Sequence, residues 1–399
     1  MIRQTPFHPR TSAANVTGLW SHWSGYLATD RYQMADKFEY FAIRNAAGVI
    51  DTSPLYKYRI TGADAEAYLA GVLARDIRKC QPGQAHYTIW CDHAGWVLED
   101  GVILRLSGDE FLLTAAEPNL AYFTDLIGRK SVTIEDVSDE YGALALQGPY
   151  AREILAKLAP EMEKIGYFHL TDAKIGDIPV TISRTGYTGD LGYEIWVGAD
   201  DAVEVWDRVF EVGAPYGTIP CGQNSLLITR IEAGLVLIDV DFHSARYAWN
   251  DDQRTTPHEL GLGWMFRDLE KDDRAFIGRT AIEREIADGS SRWRTVGLMV
   301  DWQAWDRTFN ERGLVPPKDH TPEHGGMMIY DDELNRIGYT PSFVYSPMMQ
   351  RHIGIARVRP EHAKTGTRVG LEVTIDHRYE VVDSEVTRLP FYNPPRKTG

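Results

Sequence analysis

The sequence contains very little cysteine. Only Cys80, Cys91 and Cys221 occur among 399 residues, and no two of them form a Cys-x-x-Cys pair. This scarcity excludes a disulfide framework and argues against structural zinc or an iron–sulfur cluster, because those sites need grouped thiolates. Isolated cysteines fit a reducing compartment, so we expect a cytoplasmic protein.

Long apolar runs and an excess of positive charge are also missing. The longest apolar runs are far shorter than the ~20 residues that a membrane-spanning helix needs, and residues 1–6 have no apolar core of a signal peptide. Lysine and arginine number 42 against 57 aspartates and glutamates, which gives a net charge of −15. The sequence therefore predicts neither a membrane partner nor a nucleic-acid partner.

At 399 residues the chain is too long for one simple core. Its pattern of helix and strand signals changes once along the sequence. Helical and strand patterns alternate irregularly in the first part, which is typical of an α+β domain. Later, short strands follow one another at close intervals and no strong helix pattern appears. We predict an α+β domain of residues 1–285 and a C-terminal antiparallel β-barrel of residues 292–399. Residues 8–35 are interpreted as an irregular aromatic segment that packs on the body.

Residues 183–195 are the most informative segment, and we call them the signature loop. They read Ser-Arg-Thr-Gly-Tyr-Thr-Gly-Asp-Leu-Gly-Tyr-Glu-Ile and lie between apolar residues, which indicates a tight loop between two strands. The glycines allow the backbone to approach a ligand or to adopt a positive φ. Tyr187 and Tyr193 offer flat faces for a ring system, and Glu194 stands at the start of a strand. By itself, the pattern also describes an ordinary β-hairpin.

The signature loop resembles that of the tetrahydrofolate-dependent aminomethyltransferase family, which includes the glycine cleavage T-protein and dimethylsulfoniopropionate demethylase. Further blocks resemble this family in one order over nearly the whole chain: residues 47–53, 95–100, 146–149, 230–234, 276–279 and 341–347. The resemblance implies a three-lobed α+β fold around a central funnel that holds folate. It also implies tetrahydrofolate as the cofactor and one-carbon transfer as the reaction.

The resemblance further implies roles for single residues. Asp100 matches the family's catalytic aspartate near folate N5 and N10, where a carboxylate stabilises developing positive charge. Strand alternation directs Asp100 and Glu99 to opposite faces, so only one of them can face a pocket. Glu194 matches the glutamate that pairs with the pterin edge. Four more positions are implied to line the site: Tyr87 beside the aspartate, and Tyr187, Leu55 and Arg230 on the folate side.

The sequence departs from the T-protein where the one-carbon donor is expected. Leu226 stands where the T-protein has an arginine, and residues 237–243 replace another T-protein segment. His243 lies in that second segment and is a candidate acid for a leaving group. Trp20, Trp23 and Tyr26 either cap the donor pocket or belong to the core; the sequence leaves both open.

The sequence therefore predicts a tetrahydrofolate-dependent transferase that demethylates a small O-, S- or N-methyl compound onto folate N5. The alternatives are a glycine cleavage T-protein acting on a lipoyl carrier protein, and a non-catalytic folate-binding protein. His320, Glu323 and His324 match the His-x-x-Glu-His pattern of some metalloproteases, which needs a helix. Pro322 within the pattern indicates a loop, so we predict no metal site.

Overall fold

The computed structural model of the protein describes residues 2–35, 37–323 and 325–399. Nine α-helices occur in these residues: α1 His8–Ala14, α2 Lys37–Asn45, α3 Ala65–Val72, α4 Leu120–Asp125, α5 Ala151–Leu158, α6 Ala202–Gly213, α7 Gln223–Glu232, α8 Arg279–Asp288 and α9 Trp302–Asn310. None of these helices combines the length and the apolar character needed to cross a bilayer. The cytoplasmic location stays a prediction.

The same residues form nineteen strands, which we number in chain order. They are β1 Trp20–Trp23, β2 Tyr26–Thr29, β3 Gly48–Asp51, β4 Tyr56–Thr61, β5 Gln84–Cys91, β6 Val97–Arg105, β7 Glu110–Ala115, β8 Thr133–Asp136, β9 Tyr141–Gln147, β10 Leu170–Ile175, β11 Ile178–Ser183, β12 Gly192–Gly198, β13 Ile219–Pro220, β14 Arg294–Val300, β15 Met327–Tyr330, β16 Arg336–Ser346, β17 Arg351–Val358, β18 Arg368–Ile375 and β19 Arg378–Thr387.

The strands assemble into three sheets and a separate hairpin of β1 and β2. The first sheet has the order β10-β11-β12-β9-β3-β13 and is antiparallel except where β13 joins β3. The second sheet has the order β5-β6-β7-β4-β8, and the third closes into the barrel β14-β17-β16-β15-β18-β19. The α+β class and the C-terminal antiparallel barrel are confirmed, and each of the three sheets has its own hydrophobic core.

Helix α6 has a clear apolar face. Helix α6 buries Ala202, Val205, Trp206 and Val209, whose spacing of three and four residues places them on one face. This face packs with α5 on the core of the first sheet. Each fully buried large side chain contributes about 1.5–3 kcal/mol relative to its exposed state.

Two sequence predictions about secondary structure are wrong. Residues 8–35 contain helix α1 and the β1–β2 hairpin rather than an irregular segment. Helix α9 lies in the region where no strong helix was expected. Its start was detectable, because Asp301 caps the helix by accepting a hydrogen bond from the Ala304 amide at 2.7 Å. Both helices have fewer than ten residues, so a periodic pattern hardly develops.

The division between residues 285 and 292 stays a prediction. Helix α8 crosses residue 285 and ends at Asp288, and the following Gly289 adopts a left-handed φ of +59° as the helix C-cap. After the barrel the chain returns to the first domain. The Tyr392 amide donates to the Glu232 carbonyl oxygen at 2.9 Å, and a Cβ at Gly234 would lie 2.9 Å from the Leu389 Cβ.

A buried arginine connects these parts. Arg44 on α2 is 1% exposed, and its Nη2 donates to Glu232 Oε2 on α7 at 2.6 Å. Its Nη1 lies 3.5 Å from Asp190 Oδ2 in the signature loop. Ser346 of the barrel donates to Glu232 Oε1 at 2.6 Å, and Arg396 of the C-terminal tail donates to Asp190 Oδ1 at 2.7 Å. Arg44 and its two carboxylate partners therefore join α2, α7, the signature loop, the barrel and the C-terminal tail.

We expect Arg44→Met to lower the free energy of unfolding by about 3–5 kcal/mol, because Glu232 would remain buried without its ion-pair partner. Urea denaturation followed by tryptophan fluorescence measures this loss. Arg208→Met is the matched control, because it removes an exposed i,i+4 pair with Glu204 and should cause no measurable change. An equally small effect at Arg44 would contradict the importance of the buried network.

Candidate active site

Two predicted catalytic residues lie on neighbouring strands of the second sheet. Asp100 on β6 pairs with Ile89 on β5, and Tyr87 lies two residues before Ile89, so all three side chains share a face. The Tyr87 hydroxyl donates a hydrogen bond to Asp100 Oδ2 at 2.8 Å. The structure thus brings Tyr87 and Asp100 into direct contact.

The surroundings of this pair shift both of its pKa values. Burial raises the pKa of Asp100 to about 6; the hydrogen bond from Tyr87 opposes this rise, and the charge of Asp241 adds to it. Burial raises the pKa of Tyr87 well above its usual value, and the Asp100 carboxylate raises it further. Near neutral pH, Tyr87 therefore keeps its proton, and Asp100 is a carboxylate that can accept one.

Glu99 has a structural role that the sequence did not reveal. Its side chain points away from Asp100, is 1% exposed, and accepts hydrogen bonds from the amides of Ala116 and Glu117. The side-chain amide of Asn119 donates a further hydrogen bond to it. Burial raises the pKa of Glu99 to about 8. Glu99 therefore fixes the turn after β7, and strand alternation was the only sequence signal for its inward orientation.

Glu194 lies in the first sheet, at the end of the signature loop. On β12 it pairs with Ala145 and Ser183 of the neighbouring strands. Thr185 donates a hydrogen bond to Glu194 Oε2, while burial raises the pKa of this carboxyl. Among the described residues no donor reaches Oε1. A partly buried carboxylate with one unused oxygen fits the N–H donors of a pterin edge, so the residues present are compatible with a folate.

The glycines of the signature loop make room for protein groups. A Cβ at Gly186 or Gly192 would lie 2.2 Å from the side-chain oxygen of Gln147. Gly189 has a φ of +72°, and a Cβ there would lie 2.4 Å from the Ala233 Cβ. The expected positive φ is thus present at Gly189, whereas Gly186 and Gly192 allow the Gln147 amide to pack against the loop.

Tyr187 and Leu55 both form hydrogen bonds within the protein. Tyr187 donates a hydrogen bond to the Val236 carbonyl oxygen and packs on the apolar cluster that contains Leu226. Leu55 is partly buried, and its carbonyl oxygen accepts a hydrogen bond from Lys57 Nζ at 2.8 Å. Burial lowers the pKa of Lys57 to about 8. The folate contacts of Tyr187 and Leu55 stay predictions.

Arg230 is buried, and its two terminal nitrogens are bound to other protein groups. Nη1 donates to Asp241 Oδ2 at 2.6 Å, and Nη2 donates to the Ser342 hydroxyl of the barrel at 2.8 Å. Ser342 in turn donates to Asp241 Oδ1 at 2.6 Å. The predicted folate contact of Arg230 therefore stays a prediction, and in the structure Arg230 holds Asp241, whose charge acts on Asp100.

A cavity of about 530 Å³ opens beside Tyr187. Its wall consists of His22, Trp23, Ser24, Gly25, Tyr56, Ala116, Glu117, Pro118, Tyr187, Gln223, Leu226, Leu227, Leu237, Ile238 and Asp239. Both segments that depart from the T-protein, at residue 226 and at residues 237–239, contribute to this wall. The volume is in the range of small-molecule sites.

The aromatic residues near the N-terminus divide between the cavity and the core. Trp23 lines the cavity at the turn of the β1–β2 hairpin. Trp20 packs on His8 with a centroid distance of 5.3 Å. Tyr26 is 3% exposed and donates a hydrogen bond to Asp139. Trp23 therefore lines a cavity, whereas Trp20 and Tyr26 pack within the protein; that this cavity holds the one-carbon donor stays a prediction.

His243 lies outside the residues that line the cavity. Its side chain is 51% exposed, and Nδ1 lies 3.7 Å from Asp239 Oδ1 at the cavity wall. Its role as an acid stays a prediction.

Of the metalloprotease-like pattern, His324 lies outside the described residues, and the part of the chain that is described contains no group of three or more potential metal ligands.

Comparison with known proteins shows what this architecture is similar to. The family described as the GCVT N-terminal domain matches residues 10–269, and the glycine cleavage T-protein C-terminal barrel domain matches residues 312–393. An aminomethyltransferase of Caldanaerobacter subterraneus is 32% identical over 337 residues, 83% of this chain and 82% of that protein.

Two further similarities extend over almost the whole chain. A trimethylamine-oxide aldolase of Ruegeria pomeroyi is 32% identical over 415 aligned residues, covering 100% of this chain and 48% of that protein. The crystal structure of the glycine cleavage system aminomethyltransferase T from Bartonella henselae superposes with a TM-score of 0.82 over 98% of this chain and 99% of that one, at 21% identity. The second likeness concerns the fold alone.

The fold, the two matched domains and the relatives define a folate-dependent one-carbon transferase. The chain belongs to the glycine cleavage T-protein family of aminomethyltransferases. Membership implies the use of tetrahydrofolate, with which the unused oxygen of Glu194 is compatible.

We expect Tyr87→Phe to raise the pKa of Asp100 further above 6, because the lost hydrogen bond stabilises the carboxylate. At pH 7 a smaller fraction of Asp100 would then be ionised. A carbon-13 NMR titration of labelled aspartate measures this pKa. Tyr122→Phe is the control, since its hydroxyl donates to the Cys91 carbonyl oxygen instead. An unchanged pKa in Tyr87→Phe would show that this hydrogen bond does not control the ionisation of Asp100.

Proposed function

We propose that the chain demethylates a small O-, S- or N-methyl compound and transfers the methyl group to tetrahydrofolate. The observation that carries this proposal is the composition of the cavity. Leu226 and residues 237–239 line it together, so the two departures from the T-protein act on one space. An apolar side chain replaces the arginine of the T-protein there, which favours a donor other than an aminomethyl group on a lipoyl carrier.

Folate would supply N5 as the atom that accepts the one-carbon group. On the protein side, Glu194 would bind the pterin edge through Oε1. Asp100 would stabilise positive charge at the reacting nitrogen and take up a proton from it, since its pKa of about 6 suits proton transfer near neutrality. Tyr87 would orient the Asp100 carboxylate through its hydrogen bond.

Relatives support both the proposed donor class and one alternative. The trimethylamine-oxide aldolase, similar over the full length of this chain, is named for a methylated nitrogen compound. Several relatives are aminomethyltransferases, which keeps glycine cleavage on a lipoyl carrier protein as the second candidate. Leu226 counts against that candidate, because it removes the arginine from the donor side.

We expect Glu194→Gln to weaken tetrahydrofolate binding about 10-fold or more, because an amide cannot pair as a charged acceptor with the pterin edge. Asp100→Asn should keep the folate affinity and slow transfer about 100-fold. Titration calorimetry gives the affinities, and single-turnover kinetics gives the transfer rates. Glu135→Gln, an exposed carboxylate on β8, is the control for both. Wild-type folate affinity in Glu194→Gln would refute the pterin assignment.

A donor screen tests the proposed reaction directly. The protein is incubated with tetrahydrofolate and either small methylated compounds or an aminomethyl-lipoyl carrier, and the folate product is identified by mass. Methyl-tetrahydrofolate from a small compound is the expected result. Methylene-tetrahydrofolate formed rapidly from the carrier would instead establish glycine cleavage, and no folate product from any donor would refute the transferase role.

A further inference from the structure

The ionisable side chains in the wall of the cavity beside Tyr187 are mostly acidic. Among the residues that line it, Glu117 and Asp239 are the only acidic ones, and neither lysine nor arginine is present. The Gly25 amide donates a hydrogen bond to His22 Nε2 at 3.0 Å. An uncharged or anionic occupant would bring no positive charge to these two carboxylates, whose neighbouring histidines are His22 in the wall and His243, with Nδ1 3.7 Å from Asp239 Oδ1.

The two carboxylates act on one another. Glu117 is partly buried, and after burial itself the adjacent Asp239 is the main cause that raises the pKa of Glu117. Two like charges at close range repel, and a proton or a bound cation between them relieves that repulsion. Asp239 also has a left-handed backbone with a φ of +63°, so the chain directs this carboxylate from a turn rather than from a regular element.

The nearest guanidinium is bound elsewhere. Arg246 acts on Glu117 through its charge, but Nη1 donates to the Pro118 carbonyl oxygen at 3.2 Å and Nη2 donates to Asn119 Oδ1 at 2.9 Å. Arg246 is also absent from the cavity wall. It therefore supports the turn behind Glu117 and does not occupy the space in front of the carboxylate.

Aromatic rings form the other part of the wall. Trp23, Tyr56 and Tyr187 reach the cavity from three separate segments. The faces of such rings attract cations, and quaternary ammonium groups in particular are bound by aromatic side chains. The Ser24 hydroxyl donates to the Ala116 carbonyl oxygen at 2.7 Å, which ties the hairpin that carries Trp23 to the turn that carries Glu117.

We infer that this cavity binds the methyl donor as a cation, with an onium group between Trp23, Tyr56 and the carboxylates of Glu117 and Asp239. The identification of the occupant as the methyl donor rests on the proposed function. The cation preference itself rests on the wall alone. Glu99 is a positioning residue for this site, because its carboxylate holds the Glu117 amide at 2.9 Å.

Two small probes of the same shape, one charged and one neutral, separate the effect of the positive charge on binding from the effect of shape. Choline carries a trimethylammonium group, and 3,3-dimethylbutan-1-ol has the same shape with carbon in place of nitrogen. Titration calorimetry on the full chain without folate should show choline binding about 10-fold tighter than the neutral alcohol. Equal affinity for the two probes, or no binding of choline, would overturn the inference without any substitution in the protein.

Substitutions in the cavity wall test whether choline binds at the proposed site. Glu117→Gln and Asp239→Asn should each weaken choline binding several-fold and leave the binding of the neutral alcohol unchanged. The control is again Glu135→Gln, which should bind both probes like the wild type. Circular dichroism and thermal melting verify that each variant is folded. Wild-type choline affinity in folded Glu117→Gln and Asp239→Asn variants would overturn the assignment.

Failure of this inference can be distinguished from failure of the proposed function. If choline binds with the expected pattern but no donor yields a folate product, the cation site stands and the demethylase proposal fails. If a neutral methyl ether yields methyl-tetrahydrofolate and choline neither binds nor competes, the demethylase proposal stands and the cation site fails.

Discussion

The buried guanidinium of Arg44 is the interaction on which the arrangement of the site depends. Taking Arg44, Glu232 and Asp190 out of water is costly, and their attraction offsets this cost only when the hydrogen bonds around them are complete. Asp190 belongs to the signature loop, which carries Glu194, and Glu232 belongs to the helix that carries Leu226. The signature loop and helix α7 therefore keep a fixed relation through a buried group that lies outside the cavity wall.

Much of the fold follows from the local pattern of apolar and polar residues. Helices α5 and α6 have apolar faces with the spacing of a helix, a pattern that is visible in the sequence. The barrel follows from short strands separated by turns. By contrast, α1, α9 and the β1–β2 hairpin are short, and their aromatic residues do not alternate clearly, so tertiary packing rather than propensity decides their structure.

The candidate site likewise combines features that the local sequence pattern predicts with features that it does not predict. Strand alternation predicts that Glu99 and Asp100 face opposite sides, but the sequence could not show that Glu99 binds the turn that carries Glu117. The glycines of the signature loop were expected to approach a ligand, whereas two of them accommodate the Gln147 side chain. Contacts between residues far apart in sequence decide both cases, and neither periodicity nor composition contains that information.

The return of the chain after the barrel has a consequence for synthesis. Arg396 binds Asp190 and the Tyr392 amide binds Glu232, although about two hundred and about one hundred and sixty residues separate these pairs. On a ribosome, synthesis at about 5–20 residues per second leaves the first domain waiting many seconds for residues 392–396. Until then, Asp190 has Arg44 as its charged partner and the Leu191 amide as a hydrogen-bond donor at 2.8 Å, but it lacks Tyr392 and Arg396. The signature loop of the nascent first domain is therefore incompletely neutralised until synthesis is almost finished.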